Sequence, residues 1–115
     1  MGMKEGTDAI LLRIYVGEEA EHEGKPLYRH IVELVRKEGI AGATVLRGVS
    51  GYGVSSRLRT TSILRLSTDL PLIIEIVDTT EAIGRIRPLL ASILTAGLIT
   101  EEHVQVVACC GKRED

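Results

Sequence analysis

From Asp8 to Val16 apolar side chains alternate along the chain. Ile10, Leu12, Ile14 and Val16 share one face, and Leu11, Arg13 and Tyr15 the other, which predicts a strand resting on a core. The stretch Gly17-Glu18-Glu19-Ala20-Glu21-His22-Glu23-Gly24 reads as an acidic turn with solvated carboxylates. Lys25-Pro26 then opens a helix, because proline's missing N–H costs nothing in a first turn. Leu27, Ile31, Leu34 and Val35 recur at helical spacing with Tyr28 and Val32 flanking the stripe. Lys37 suits the last turn, and Gly39 supplies the stop.

The second half repeats this order. A strand is expected from Ala43 to Val49, a brief extended segment from Ser62 to Leu66, and a strong strand over Leu72–Val77 entered at Pro71. Asp78, with Glu81 three positions on, resembles a capping box. The helix it opens carries Ala82, Ile83, Ile86, Leu89, Leu90, Ile93 and Leu94 on a broad apolar face. Pro88 inside it is expected to kink or loosen it. Gly97 is the stop, Leu98 to His103 a connector, and Val104 to Cys109 the last strand.

Right-handed crossovers turn that order into an α+β, ferredoxin-like βαββαβ sandwich: a four-stranded antiparallel sheet, two helices on one face, and a long loop after the second strand. The uncovered face would carry Leu11, Tyr15, Ile73, Val77 and Val107 or Cys109, mixed with Arg13, Glu75 and Gln105. Such a face is too apolar for water, so burial against copies of the same chain is expected. Arg13 and Glu75 share it and are expected to pair.

The chain has no Phe and no Trp, so its core must be aliphatic. Its 115 residues suit one domain, over residues 8–110, between flexible tails of residues 1–7 and 111–115. A net charge of -2 argues against a nucleic-acid binder. No apolar run approaches the roughly 18 residues that span a bilayer, so no direct membrane insertion is expected. The first residues lack a signal peptide's apolar segment, which fits a cytoplasmic protein. Cys109 and Cys110 are adjacent and read as structural, one pointing in and one out of a strand. His22, His30 and His103 are scattered without ligand spacing, so no metal residues are assigned. No spacing ties Ser55, Ser56 or His30 to a catalytic partner, so no catalytic residues are assigned and the chain is not expected to be an enzyme.

Charge is uneven along the chain. From Gly39 to Thr68 there is no Asp or Glu, while Arg47, Arg57, Arg59 and Arg65 all fall there. Glycines admit a ligand close to the backbone, and arginines without competing carboxylates suit an anion. The plain alternative is a polar loop with solvated arginines. Residues 54–68 are expected to be mobile in the free protein, since Ile63, Leu64 and Leu66 are their main apolar anchors.

Pro26-Leu27-Tyr28, Ile31-Val32, the run from Gly39 to Gly48, Gly51-Tyr52-Gly53, Asp69-Leu70-Pro71 and Ile74 to Asp78 resemble the family of unknown function numbered 190. More distantly the chain resembles the PII nitrogen-regulatory proteins. Gly39, Ile40, Gly42, Thr44 and Val45 match their Gly-Ile-x-Gly-x-Thr-Val segment, and Leu70-Pro71 with Ile74 to Val77 match a strand entry. That resemblance implies a homotrimer with its sheets facing inward, an adenine nucleotide in clefts between subunits, and a long loop that engages a target protein, a membrane transporter being the candidate class. It implicates Gly42, Thr44, Gly51, Tyr52 and Gly53 as ligand contacts; the acid-free stretch itself offers Arg47, Arg57 or Arg59 as the anion contact. The stretch from Thr95 to His103 departs from the PII pattern, with one Gly, no Lys, and the acids Glu101 and Glu102. It is expected to oppose a triphosphate and to favour a smaller or less charged adenylate. The alternative reading is a small trimeric metal-tolerance-type protein without nucleotide sensing.

Overall fold

A computed structural model describes residues 3–52 and 70–110. The elements are β1 (Asp8–Gly17), β2 (Glu21–His22), β3 (Lys25–Pro26), α1 (Leu27–Lys37), β4 (Thr44–Arg47), β5 (Pro71–Thr79), α2 (Thr80–Ile93) and β6 (Leu98–Gln105). β4, β5, β1 and β6 form, in that order, a four-stranded sheet with antiparallel pairing throughout. The small hairpin β2–β3 stands apart. This is the expected ferredoxin-like α+β layer, with α1 and α2 on one face.

Alternation sets that face. Ile10, Leu12, Ile14 and Val16 of β1 and Leu72, Ile74 and Ile76 of β5 are buried beneath Leu27, Ile31 and Val35 of α1 and Ile83, Ile86 and Leu90 of α2. The core is aliphatic throughout, as the missing Phe and Trp require. Gly39 ends α1 with φ +86°, a left-handed position that glycine occupies at no steric cost.

Several elements depart from their sequence-based expectation. The last strand is β6 over Leu98–Gln105, so the expected connector is the strand and residues after Gln105 lie beyond it. Ile99, Glu101, His103 and Gln105 accordingly fall on the helix side, and Leu98, Thr100, Glu102 and Val104 on the outer side. Gln105 thus moves to the face opposite that expected for it, and Val107 and Cys109 leave the sheet. Cys109 and Cys110 sit in a bent segment with their sulfurs in contact, not alternating across a strand.

The α2 cap is Thr79, whose Oγ1 accepts from the Ala82 N–H at 3.1 Å. Asp78 is instead buried at the end of β5, where it accepts from Thr79 and Ala41. α2 continues through Pro88, which lies on the exposed side, where water can satisfy the carbonyl that loses its partner. The acidic turn runs into a β2–β3 hairpin, closed by Glu23 at φ +51° and Gly24 at φ +83°; Lys25–Pro26 form β3, and α1 starts at Leu27 with Pro26 at its N-cap. Lys4 to Thr7 form a turn whose end pairs with Val106: Gly6 N donates to Val106 O, and Val106 N to Thr7 O at 2.9 Å. The extended segment expected at Ser62–Leu66 and the loop over residues 54–68 lie outside the described residues.

Candidate functional site

β4 is an edge strand, and every residue from Ala41 to Arg47 is exposed. Its outgoing end is fastened to the start of β5. Gly48 N donates to Pro71 O at 2.8 Å, and Glu18 N donates to Leu70 O at 2.8 Å. Arg47 reaches Glu18 Oε1 from Nη2 at 3.0 Å and from Nε at 3.3 Å. A Cβ on Gly48 would lie 2.9 Å from Pro71 Cγ, and one on Gly51 3.1 Å from the same atom. Gly48 is therefore favoured by close packing on the proline, and Gly51 by a tight contact with the same ring together with its φ of +153°. Glu18, Arg47, Gly48 and Pro71 thus form one clamp between the two described stretches that flank residues 53–69.

The incoming end of β4 is set by Asp78. Its Oδ2 accepts from Ala41 N at 3.0 Å while Oδ1 accepts from Thr79 N at 2.7 Å, tying the approach to β4 against the β5–α2 junction. Gly42 follows directly. No atom lies within 4 Å of a Cβ built there, and its backbone is not left-handed, so nothing within the described chain demands glycine.

The anticipated ligand residues divide between these ends. Gly42 and Thr44 lie at the start of β4, with Thr44 opposite Glu75 on the outer sheet face. Arg47 projects to the helix side, since residues 44 and 47 have opposite parity, and there it is paired with Glu18. Gly51 and Tyr52 follow beyond that end, with Tyr52 74% exposed. Gly53, Arg57 and Arg59 lie outside the described residues.

The outer sheet face is half-exposed and carries a central ion cluster. Arg13 Nε donates to Glu75 Oε2 at 3.1 Å and Nη1 to Glu102 Oε1 at 2.8 Å. The expected Arg13–Glu75 pair forms within the chain, and β6 adds a second acid. The hydrogen bond to Glu102, then that to Glu75, raises the Arg13 pKa above its ordinary value. On the helix side Arg87 holds Glu101 through Nε and Nη2 at 2.8 and 3.0 Å, and this hydrogen bonding keeps the Glu101 carboxyl below its ordinary 4.5. The two acids expected to oppose a triphosphate are therefore strand residues on opposite faces, each matched by an arginine. The Arg87–Glu101 pair borders a groove of about 410 Å³ between α2 and β6, floored by Leu12, Leu90 and Ile99.

One grouping escaped sequence reasoning. Folding of the β2–β3 hairpin against α1 brings His22, Glu23 and His30 together, with one ligating atom from each within 4.8 Å of the others. The histidines are eight positions apart, which is not a helical ligand spacing, so the hairpin is the missing information.

Residues 9–106 match the model of the DUF190 family, described as an uncharacterized ACR. The chain belongs to that family. It is 42% identical over 99 residues to the UPF0166 protein MJ1524 of Methanocaldococcus jannaschii, covering 84% of this chain and 91% of the relative. Its fold is similar to that of a Thermus thermophilus chain described as PII-like in signaling, with TM-score 0.66 and 21% identity over 90% of this chain and 93% of the other. It is also similar to CPII from Thiomonas intermedia, whose structure is bound to ADP and bicarbonate. There the TM-score is 0.60 and identity 19%, over 91% and 94% of the two chains. At these identities the two structures show the fold, which is PII-like.

Proposed function

We propose that this DUF190 protein is a cytoplasmic, PII-like regulator, not an enzyme. It assembles as a homotrimer, binds an adenine nucleotide in the seam between subunits, and uses residues 53–69 to control a partner protein. The single observation that carries the reading is the exposed edge from Ala41 to Arg47 beside a glycine that nothing among the described residues requires. An uncovered edge strand invites pairing and is normally blunted or covered. Coverage by a second subunit protects the edge and creates a cleft where Gly42 lets a ligand approach the backbone. The clamp at Glu18, Arg47 and Pro71 places the root of the 53–69 segment at the end of β4 opposite Gly42, so a ligand in the cleft would reach the segment only along the length of that strand. A PII-like neighbour bound to ADP supports adenylate as the ligand class. Among the described residues no helix is long and apolar enough to cross a membrane.

The test is calorimetric titration of ADP and ATP into the full chain, with mass by light scattering. ADP binding with one site per subunit of a trimer is the expected result. Gly42→Val has room among the described residues, so its secondary structure should persist while ADP affinity falls at least about tenfold, or about 1.4 kcal/mol. Equal ADP binding by wild type and Gly42→Val would move the site elsewhere. A monomer of 12.5 kDa would remove the seam altogether.

A further inference from the structure

We propose that His22, Glu23 and His30 form a binding site for a borderline divalent cation of the zinc class. Three features of the hairpin and of α1 carry this. First, His22 and His30 rings meet edge to face, with centroids 4.6 Å apart and planes at 87°, and His22 Nε2 lies 3.7 Å from Glu23 Oε2. Second, His30 Nε2 is buried and has no hydrogen-bond partner among the described residues. A buried polar atom of this kind ordinarily finds a partner, and a metal ion is one that an imidazole nitrogen accepts.

Third, the turn is unusual in composition. Both central residues of the two-residue hairpin have positive φ, a geometry that favours Asn-Gly or Asp-Gly. Gly24 meets the requirement. Glu23 is a non-glycine residue held at φ +51°, where it brings a carboxylate to the edge of the histidine pair.

The donor set decides the ion class. Two imidazoles and one carboxylate suit zinc and neighbouring first-row divalent ions, whereas magnesium and calcium require oxygen cages. Three protein donors leave the fourth tetrahedral position to water. Donors about 2.1 Å from a tetrahedral ion lie about 3.4 Å from one another, so the 4.8 Å grouping must contract by about 1.4 Å. Glu23, with its side chain 76% exposed, and His22 at the hairpin have the freedom to close that gap. The surrounding charge is compatible. Lys25 is occupied by Glu33 at 2.8 Å, and Glu21 adds a second acid at the hairpin. Binding would pin the hairpin to the first turn of α1.

The experiment is titration of the full chain with Zn²⁺, using Mg²⁺ as control and Co²⁺ as the optical probe. One Zn²⁺ per chain, no response to Mg²⁺, and a Co²⁺ spectrum without a thiolate charge-transfer band are expected. His22→Ala and Glu23→Gln lie on the hairpin outside the core, so each should weaken Zn²⁺ more than about tenfold while leaving the melting temperature of the metal-free protein near wild type. His30→Ala should do the same to affinity. Absence of Zn²⁺ binding by wild type would overturn the site. So would binding unchanged in both hairpin variants, or a thiolate band that persists in His22→Ala, which would place the ion on Cys109 and Cys110. None of these readouts depends on nucleotide binding.

Discussion

Replacing Asp78 by alanine tests how the incoming end of β4 is held. Asp78 is 7% exposed and accepts two backbone hydrogen bonds, from Ala41 at 3.0 Å and Thr79 at 2.7 Å. Hydrogen bonds to a charged group contribute about 1.5–3 kcal/mol each, which puts an upper bound of about 3–6 kcal/mol on the pair. Two effects reduce it. Thr79 is the next residue, so its bond exists in part in the unfolded chain, and Ala41 is exposed enough for water to replace the carboxylate. The expected net loss is about 2–3 kcal/mol, or roughly 10 °C in Tm. Asp78→Asn should recover little, because its NH₂ must face a backbone N–H where an oxygen now accepts. Urea denaturation at fixed protein concentration reads the loss, with concentration held constant because the proposed assembly would add to apparent stability. Amide exchange at Ala41 should rise more than at Leu12 in the same variant. An Asp78→Ala protein within about 0.5 kcal/mol of wild type would mean that the two bonds contribute nothing net, and the account of how Gly42 is positioned would fail.

Gly97→Ala should be among the more damaging single-methyl changes. Its Cβ would lie 2.5 Å from Tyr15 O and its φ is +142°, so a loss of about 2–4 kcal/mol by urea denaturation is expected, and a neutral result would refute the close approach of β6 to β1. The Glu101 carboxyl is depressed in the folded state, so its contribution is present above the unfolded value near 4.5 and is lost as pH falls through the lower folded value. The stability gap between wild type and Glu101→Gln should therefore be constant at neutral pH and shrink below about pH 4.5, the effect being modest for so exposed a pair; a gap that widens in acid would reverse the assignment.

Legibility of the fold followed the strength of the local pattern. β1 and β5 are central strands with strict alternation, and both are legible with ends off by only one or two residues. α1 is legible because proline, a clean stripe and a glycine stop agree. β6 is displaced from its expected place because Leu98–Gln105 carries Glu101, Glu102 and His103, whereas the more apolar run after it resembles a strand. Tertiary pairing decides otherwise: β6 runs along β1 from Tyr15–Leu98 to Asp8–Gln105, and Arg87 and Arg13 match the acids. The α2 cap is ambiguous locally, since Asp78 and Thr79 are both good caps; burial of Asp78 at the end of β5 leaves Thr79 to serve α2. At the candidate site the sequence marks a strand but does not show that Glu18, far from it in the chain, pairs with Arg47. Thr44 and Arg47 therefore look like one constellation, whereas alternation sends them to opposite faces and Glu18 takes the arginine.

The outer sheet face explains why a trimer would keep a charge cluster at its centre. Leu11, Tyr15, Ile73 and Val77 on the central strands are only half-buried in the single chain, and Leu46 and Leu98 on the edge strands are 44% and 54% exposed. An apolar face alone would tolerate several slipped arrangements of copies. Arg13, bonded to Glu75 on one side and Glu102 on the other, fixes a polar point within it that any packed arrangement must accommodate. In the proposed trimer that cluster trades stability for register, the best-attested role of ion pairs within an apolar interface. Thr44 lies directly opposite Glu75 at the β4 edge, so the same register that seats the cluster sets where the edge meets the neighbouring subunit. In that proposed assembly the cleft at Gly42 would follow from how the sheets face one another, and β4 itself joins it to the clamp at Pro71 at the strand's other end.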